Sequence, residues 1–575
     1  MGRSTTGYER PVVSAVDDDW TGLGSTHGGR TTTGFGKILG AGPALLSAAS
    51  PVNHAPGDRG QVGGVEDEGV ELSPDGPRFW TSETLHQIVE RVFGQRRFIV
   101  VSNREPYIHR LEGEEIVCDR PISGLVTALE PVMRTCGGTW IAHGSGNADH
   151  DVVDEHDHIG VPPQHPEYTL RRVWLSKADE DGYYYGFANE ALWPLCHVVY
   201  QRPAFVVEDW AAYSRVNRQV AEAVLDEALN RDTVVLIQDY HFALLPGFLR
   251  EANPALLIAQ FWHIPWPNPE AFRVCPWGRE ILDGLLGNDL LGFHIRRHCQ
   301  NFIDTVADTT ETRIDAEASA ISRGGHQTLV RSFPISVDLD DLSEQARSTG
   351  TVTRAARLRH QLGLTNQRIL FGVDRIDYTK GIPERLRAID RLLALHPEYI
   401  GKIRFVQIGA PSRTRIPTYH ALGREIEALV EEINWKYAQG RWSPIIYRDV
   451  PATFDEVLAF FQLADVCVVT SLHDGMNLVA KEYVAGRPDG DGVLVLSCFT
   501  GSARELEQAL RVNPYAIDEV AAALHQALCM EEVERRARMA ALRETIAQNN
   551  IYRWAGKMVS ELGRIAARRT LEASP

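Results

Sequence analysis

The sequence predicts an α/β protein made of two doubly wound, Rossmann-like parallel-sheet domains that face each other across a cleft. Three observations carry this. The 575 residues exceed one ordinary core. Short apolar runs ending in polar residues alternate with longer stretches of helical period, the pattern of a parallel sheet covered by helices. That alternation also runs twice, pausing near Pro334 to Asp340 and restarting at "RILFGVDRID".

Residues 1–94 differ from the rest. Segments such as "GSTHGGRTTTGFGKILGAG" are rich in Gly, Ser and Thr with few periodic apolar positions. A largely flexible extension is expected there, closed by a leading helix in "FWTSETLHQIVERVFG". The first domain, 95–335, opens with the strand "RRFIVVSNR" and continues through "TVVLIQDY", "LLIAQFWHIP" and "LLGFHI", with helical "HFALLPGFLREA" and "GREILDGLLG" between them. The second, 336–550, alternates "RILFGVDRID", "IPERLRAIDRLLALHP", "IRFVQIGA", "ALGREIEALVEEINWKYA", "SPIIYRDV", "TFDEVLAFFQLA", "DVCVVTS" and "GVLVLSCF". The closing segment from "EVERRARM" to "IAARR" reads as helical throughout. Its last part, 551–575, is expected to pack back on the first domain.

Composition narrows the function class. Apolar content of 44% and charged content of 23% are those of a globular enzyme. A net charge of −17 argues against nucleic acid or an anionic membrane as partner. No apolar run approaches the ~20 residues of a membrane span, and no secretory signal pattern opens the chain. Eight scattered cysteines without a C-x-x-C pair read as reduced thiols in a cytoplasmic protein. No Cys/His spacing for a metal occurs, nor a nucleotide-binding G-x-x-x-x-G-K-[ST] or G-x-G-x-x-G motif, so neither metal nor cofactor is expected.

In open α/β sheets ligands collect beyond the carboxyl ends of the strands, and the polar clusters fall at such points. In "SLHDGMNLVAKEYVAG" a strand hands over to a helix whose first turn is expected at Gly475 to Leu478. Free amides and the helix dipole there suit a diphosphate. Gly475 would admit close backbone approach. Asp474 would stand beside a sugar, and Glu482 could accept hydrogen bonds from a ribose diol. Read alone, the same residues fit an N-cap Asp and a solvated Glu. "VDRIDYTKGIPER" puts Arg375 and Lys380 on a strand-to-helix loop, where two cations would complement a diphosphate or pair with neighbouring acids. Arg104 ends the first strand and Gly124 opens an apolar helix. Asp239 and His263 end two consecutive strands. Tyr184 and Trp193 carry donors a phosphate could use, and Arg413 in "APSR" follows another strand.

Taken together, "QDYH", "HIPWP", "VDRIDYTKGIPER", "DGMNLVAKEYVA" and "NPYAIDEVAAAL", in this chain order, resemble the trehalose-6-phosphate synthase family of retaining glycosyltransferases. The resemblance spans about residues 97–567 and implies the two-domain GT-B fold. It implies a donor site of Gly124, His263, Arg375, Lys380, Asp474, the amides of Gly475, Met476, Asn477, Leu478 and Val479, and Glu482. It implies an acceptor site of Arg104, Tyr184, Trp193, Arg413 and Asp239. Asp239, His263, Arg375, Lys380 and Asp474 form the catalytic set. The implied reaction moves glucose from a nucleoside-diphosphate glucose such as UDP-glucose to glucose 6-phosphate, giving α,α-trehalose 6-phosphate, an osmoprotectant precursor. A homo-oligomer is compatible with this reading.

Three departures stand out. Ser123 replaces a family glycine, His473 replaces a family arginine, and "REPY" after Asn103 looks like the glucosylglycerol-phosphate synthase branch, whose acceptor is glycerol 3-phosphate. "PSR" with Arg413 looks like the trehalose branch and is preferred. A non-catalytic sugar-phosphate sensor is the reading from another class.

Overall fold

A computed structural model describes residues 80–94, 96–120, 124–228, 232–364 and 366–573. Most of the extension expected over 1–94 therefore lies outside the described residues. Its closing helix is present as Ser82–Phe93, started by Thr81, whose hydroxyl caps the Thr84 N–H at 3.2 Å, and stopped by Gly94 at φ 56°.

The chain first lays down β1 (Arg97–Arg104), a separate hairpin of β2 (Ile108–Glu112) and β3 (Glu115–Asp119), then β4 (Thr139–His143), β5 (His158–Val161) and β6 (Tyr168–Val173). There follow β7 (Thr233–Gln238), β8 (Leu257–Phe261), β9 (Leu290–Phe293), β10 (Arg313–Asp315), β11 (Ala320–Arg323) and β12 (His326–Ser332). Apart from the hairpin these make one ten-stranded sheet, ordered β10-β11-β12-β9-β8-β7-β1-β4-β6-β5. A second sheet holds β13 (Arg368–Arg375), β14 (Ile403–Ala410), β15 (Ile445–Arg448), β16 (Val466–Val469), β17 (Val493–Ser497) and β18 (Leu510–Val512), ordered β15-β14-β13-β16-β17-β18.

The middle of the first sheet and all of the second are parallel, because each strand is followed by a covering helix. Their central strands are buried on both faces, as the continuous apolar runs require. The first sheet is not wholly parallel, however. β5 runs antiparallel to β6, and β10, β11 and β12 form an antiparallel meander at the opposite edge. The turn from β11 to β12 uses Gly324 and Gly325 at φ 56° and 81°, conformations suited to a tight hairpin rather than a crossover. These short, half-polar edge strands carry no long apolar run, so apolar patterning did not reveal them.

One helical expectation also shifts. The closing segment is two helices, Glu532–Gln548 and Ile551–Ala573, interrupted at Asn549 and restarted where the Asn550 side chain accepts the Arg553 N–H at 3.1 Å. Ile551–Ala573 packs against Ser82–Phe93 and the first sheet. Its Trp554 ring meets Phe261 edge-on at 5.2 Å, and Ile551, Met558, Val559, Leu562 and Ile565 join the same core. Between the sheets, Ile335 and Val337 are buried, and Lys481 donates to the Ile335 carbonyl at 2.8 Å.

Candidate active site

A cavity of about 410 Å³ opens where the carboxyl ends of both sheets converge. Arg104, Asp239, His263 and His294 reach it from β1, β7, β8 and β9. Arg375, Arg413, Asp474 and Glu482 reach it from the ends of β13, β14 and β16 and the following loops. Parallel strands all present the same end here, which is why side chains far apart in sequence share one cleft.

On the second-sheet side the loop after β16 and the loop after β13 meet. Lys380 Nζ donates to Asp474 Oδ2 at 2.5 Å, and Ser471 Oγ and Asn477 Nδ2 donate to the same oxygen at 3.2 and 3.1 Å. Burial pushes the Asp474 carboxyl up, but Lys380 and these donors outweigh it and hold it at about 2. Asp474 is therefore a fixed negative charge. Arg375 reaches the cleft with no hydrogen bond or ion pair to another described residue, its guanidinium 5.7 Å from the Trp193 ring centre.

The glycine-rich turn differs from expectation. The helix begins at Leu478, not Gly475, and runs to Ala485. Asn477, at φ 67°, is the N-cap, its side chain accepting the Ala480 N–H at 3.4 Å. Ser502 holds the carbonyls of Met476 and Asn477 at 2.6 and 2.9 Å, which diverts the backbone from helical geometry until that point. Gly475 lies so close to the first-sheet side that a Cβ would collide with the His263 carbonyl oxygen. Met476, Asn477, Leu478 and Val479 line the cleft. Glu482 lies just beyond them, buried and without a hydrogen-bond partner among the described residues. Burial alone pushes its carboxyl up to about 7.

On the first-sheet side Asp239 sits at φ 70° just past β7, its Oδ1 accepting the N–H of Tyr240 at 2.9 Å and of His263 at 3.1 Å. Burial raises its carboxyl to about 7 against those hydrogen bonds and the charges of Arg413 and Arg375. His263 pairs with Gln238 Oε1 at 2.8 Å, and burial drives it down to about 3, so the imidazole is neutral.

A second cationic group lies beside Asp239. Arg104 Nη2 reaches the Tyr184 hydroxyl at 3.4 Å. Arg413 stacks over Trp193 at 4.0 Å, pairs with Asp377 at 2.9 Å and leaves its buried Nε without a partner. Burial would raise the Tyr184 phenol, yet Arg104, Arg413 and Arg375 together bring it to about 8. Tyr184 lies within a π-helical stretch, Asp181–Leu192, a geometry frequent at functional sites. The Trp193 N–H points to Asp377 at 3.4 Å. Gly124 opens the Gly124–Cys136 helix, and residues 121–123 just before it, including Ser123, lie outside the described residues. Among the described residues no cluster of His, Cys, Asp or Glu is arranged to hold a metal ion.

Several cleft residues were not singled out from sequence. His241 stacks under Tyr184 at 5.8 Å. Tyr240 accepts from Arg413 at 3.4 Å, His294 bonds the His263 carbonyl at 3.0 Å, and Asp377 holds Arg413. Tyr240 and His241 sit inside "QDYH" and Asp377 inside "DRIDYTK", so the motifs pointed at them. Their partners did not show, because Asp377 and Arg413 lie 36 residues apart.

Residues 96–564 match the sequence model of glycosyltransferase family 20. The chain belongs to that family. It is 42% identical over 480 residues to a trehalose-6-phosphate synthase of Mycobacterium bovis, covering 82% of this chain and 95% of that protein. An E. coli structure described as bound with UDP-2-fluoro glucose superposes with a TM-score of 0.73 at 34% identity, covering 81% of this chain and 99% of that one. A UDP-forming α,α-trehalose-phosphate synthase from Burkholderia xenovorans in complex with glucose-6-phosphate gives 0.72 at 32%, covering 81% and 99%. This family 20 chain therefore has the GT-B arrangement of two sheets about one cleft.

Proposed function

We propose that this chain transfers glucose from UDP-glucose to glucose 6-phosphate, giving α,α-trehalose 6-phosphate with the donor's configuration retained. The observation that carries the reading is one cleft lined at once by the cations Arg104, Arg375, Lys380 and Arg413 and by Asp239, His263 and Asp474. Arg375, Lys380 and the amides from Gly475 to Val479 take the donor diphosphate, and Glu482 takes the ribose hydroxyls. Arg104, Tyr184 and Arg413 take the acceptor phosphate, beside the Trp193 ring, and Asp239 takes the acceptor hydroxyls.

As the bond to the diphosphate breaks, negative charge grows on the leaving oxygen, and the cations and amides already in place stabilise it. The acceptor hydroxyl attacks the same face of the sugar, and its proton passes to the leaving phosphate oxygen. Neutral His263 and anionic Asp474 orient the ring rather than attack it. Gly124 contributes to the sugar contact on this reading.

Arg104 of the "REPY" segment lines the cleft, whereas Glu105 and Tyr107 are engaged outside it. Glu105 is buried and accepts from Arg172 at 2.9 Å and from the Ser145 N–H at 2.8 Å, and Tyr107 bonds Glu130. That leaves Arg413 to discriminate the acceptor and favours a hexose phosphate over glycerol 3-phosphate. A cytoplasmic setting belongs to the same reading, supported by eight free cysteines. No helix among the described residues is long and apolar enough to cross a membrane.

The test is nucleoside-diphosphate release from UDP-glucose with either acceptor alone. Turnover with glucose 6-phosphate is expected. Turnover only with glycerol 3-phosphate would reassign the acceptor site, and release with neither would return the chain to a sensor role.

A further inference from the structure

Beneath the loop that carries Arg375 and Lys380 lies a buried ion pair to which the proposed reading assigns no substrate contact, although its acid, Asp374, forms part of the cleft wall. Arg385, on the Ile382–Leu395 helix, is fully buried, and its partner Asp374 is the next-to-last residue of β13, with 8% exposure. The guanidinium uses four of its five donors. Nη1 donates to Asp374 Oδ2 at 2.5 Å and Gln407 Oε1 at 2.8 Å, Nε to Thr470 Oγ1 at 2.9 Å, and Nη2 to the Lys380 carbonyl at 3.3 Å. One side chain thus ties β13, β14, the residue just past β16 and the Lys380 backbone together.

The surroundings are shaped for it. A Cβ at Gly372 would lie 2.6 Å from both Arg385 Nη1 and Gln407 Oε1, so only glycine leaves the guanidinium its room. Gly381, at φ 64°, passes against the Thr470 carbonyl, and the Leu472 N–H donates to the Thr379 carbonyl at 2.7 Å. The loops after β13 and β16 are therefore laced side by side over Arg385. Lys380 and Asp474 stand at their two tips, 2.5 Å apart. Lys380 connects to Arg385 through its own carbonyl. Asp474 connects through Thr470 and the neighbouring Ser471 hydroxyl.

We propose that Arg385 is a positioning residue for glycosyl transfer, setting the spacing of Lys380 and Asp474 so that both meet the donor at once. This rests on the reading that Lys380 holds the donor's diphosphate. A fully buried guanidinium bonded to four different residues suits that task because its planar fork fixes several partners in one geometry, which an ammonium cannot do. The expected loss is therefore confined to the donor side of the cleft.

Removing Arg385 alone would strand the Asp374 charge in the interior and unfold the protein for an unrelated reason. The diagnostic variant replaces both members, Asp374→Val with Arg385→Met, because a buried pair exchanged for apolar groups of similar volume usually leaves folding intact. Arg385→Lys, which keeps the Asp374 side chain in the cleft wall and a charge opposite it, is measured alongside, so that a loss shared by both variants is assigned to Arg385, and it carries the test should the double variant melt far below the wild type. Three quantities are read: the thermal midpoint, UDP affinity by calorimetry, and the separate KM values for donor and acceptor. The proposal expects a near-normal midpoint, UDP affinity weakened about 10-fold, kcat lowered roughly 100-fold as for misplaced catalytic groups, and an unchanged acceptor KM. Wild-type UDP affinity and kcat in a folded variant would overturn it, as would equal rises in both KM values. A wild-type protein that bound no UDP would instead sink the donor-site reading itself.

Discussion

Glu482 shows how a single carboxyl can couple stability to ligand. It is buried with no hydrogen-bond partner among the described residues, and burial lifts it from its ordinary 4.5 to about 7. Between those values the folded protein keeps a proton that the unfolded chain has released. This group's contribution to folding is therefore full below about pH 4.5 and is lost as pH rises through 7. Glu482→Gln removes that loss, with a ceiling of about 3 kcal/mol. The variant is expected to melt above the wild type at pH 8, with the gap closing by pH 4.5. Donor binding should move the other way. Only the ionised carboxylate accepts from both ribose hydroxyls, so wild-type donor KM falls as pH rises from 6 to 8. The Gln variant loses roughly 10–100-fold in donor affinity, the equivalent of the ~1.5–3 kcal/mol of hydrogen bonds to a charged group. Equal melting at pH 8 would mean the carboxyl is solvated in solution. At this scale much of the site was legible. Asp239, His263, Arg375, Lys380, Asp474 and Glu482 all line the cleft because each follows a strand end that the sequence pattern marks. Asp377 and Arg385 were not legible as site residues, since each is defined by partners such as Arg413 and Gln407 that only the fold brings near.

Among the elements, the turn from Gly475 to Asn477 joins the two halves of the cleft most closely. A Cβ at Gly475 would strike the His263 carbonyl at the end of β8 and press on the His294 ring. Gly475→Ala must therefore push the donor loop away from the first sheet. Overpacking of this kind costs about 1–3 kcal/mol, and a displacement near 1 Å of reacting groups costs about 100-fold in rate. Both losses are expected, read by thermal melts and steady-state kinetics. Gly423→Ala is the control. It lies within the Pro417–Tyr437 helix with nothing near its added methyl, so it should leave the rate alone and add up to about 1 kcal/mol of stability. Wild-type kinetics in Gly475→Ala would show that the close approach is dispensable. The sequence marked this turn as functional but placed the helix start three residues early. Asn477 adopts a left-handed conformation enforced by Ser502, 25 residues away, and no local propensity reports that. The β2–β3 hairpin and the antiparallel edge from β10 to β12 escaped for a related reason. Strands exposed on one side lack the continuous apolar runs that revealed β7, β8 and β16.

For the whole molecule, alternating strands and helices were enough to give two wound sheets and to expect the chain's end against the first domain, while the side chains that make that tie emerge only in three dimensions. The Ile551–Ala573 helix buries Ile551, Trp554, Met558, Val559, Leu562 and Ile565 against Leu85, Ile88, Phe261 and their neighbours. At about 1.5–3 kcal/mol for each fully buried large apolar side chain, those six contribute roughly 9–18 kcal/mol. That matches or exceeds the whole net stability of about 5–15 kcal/mol typical of a folded domain. The helix is therefore part of the first sheet's core, although every catalytic candidate lies elsewhere. It also covers Trp80 and Val92, which lie so close to Gly556 and Gly563 that a Cβ at either glycine would collide with them. A chain ending at Asn550 keeps all residues of the cleft and is nonetheless expected to lack a stable first sheet, appearing in the insoluble fraction or binding a hydrophobic dye strongly. Trp554→Ala, a milder change, should lower stability by about 3–5 kcal/mol while leaving both KM values near wild type in the molecules that remain folded. A soluble, active chain ending at Asn550 would show that the first sheet closes its own core without the helix.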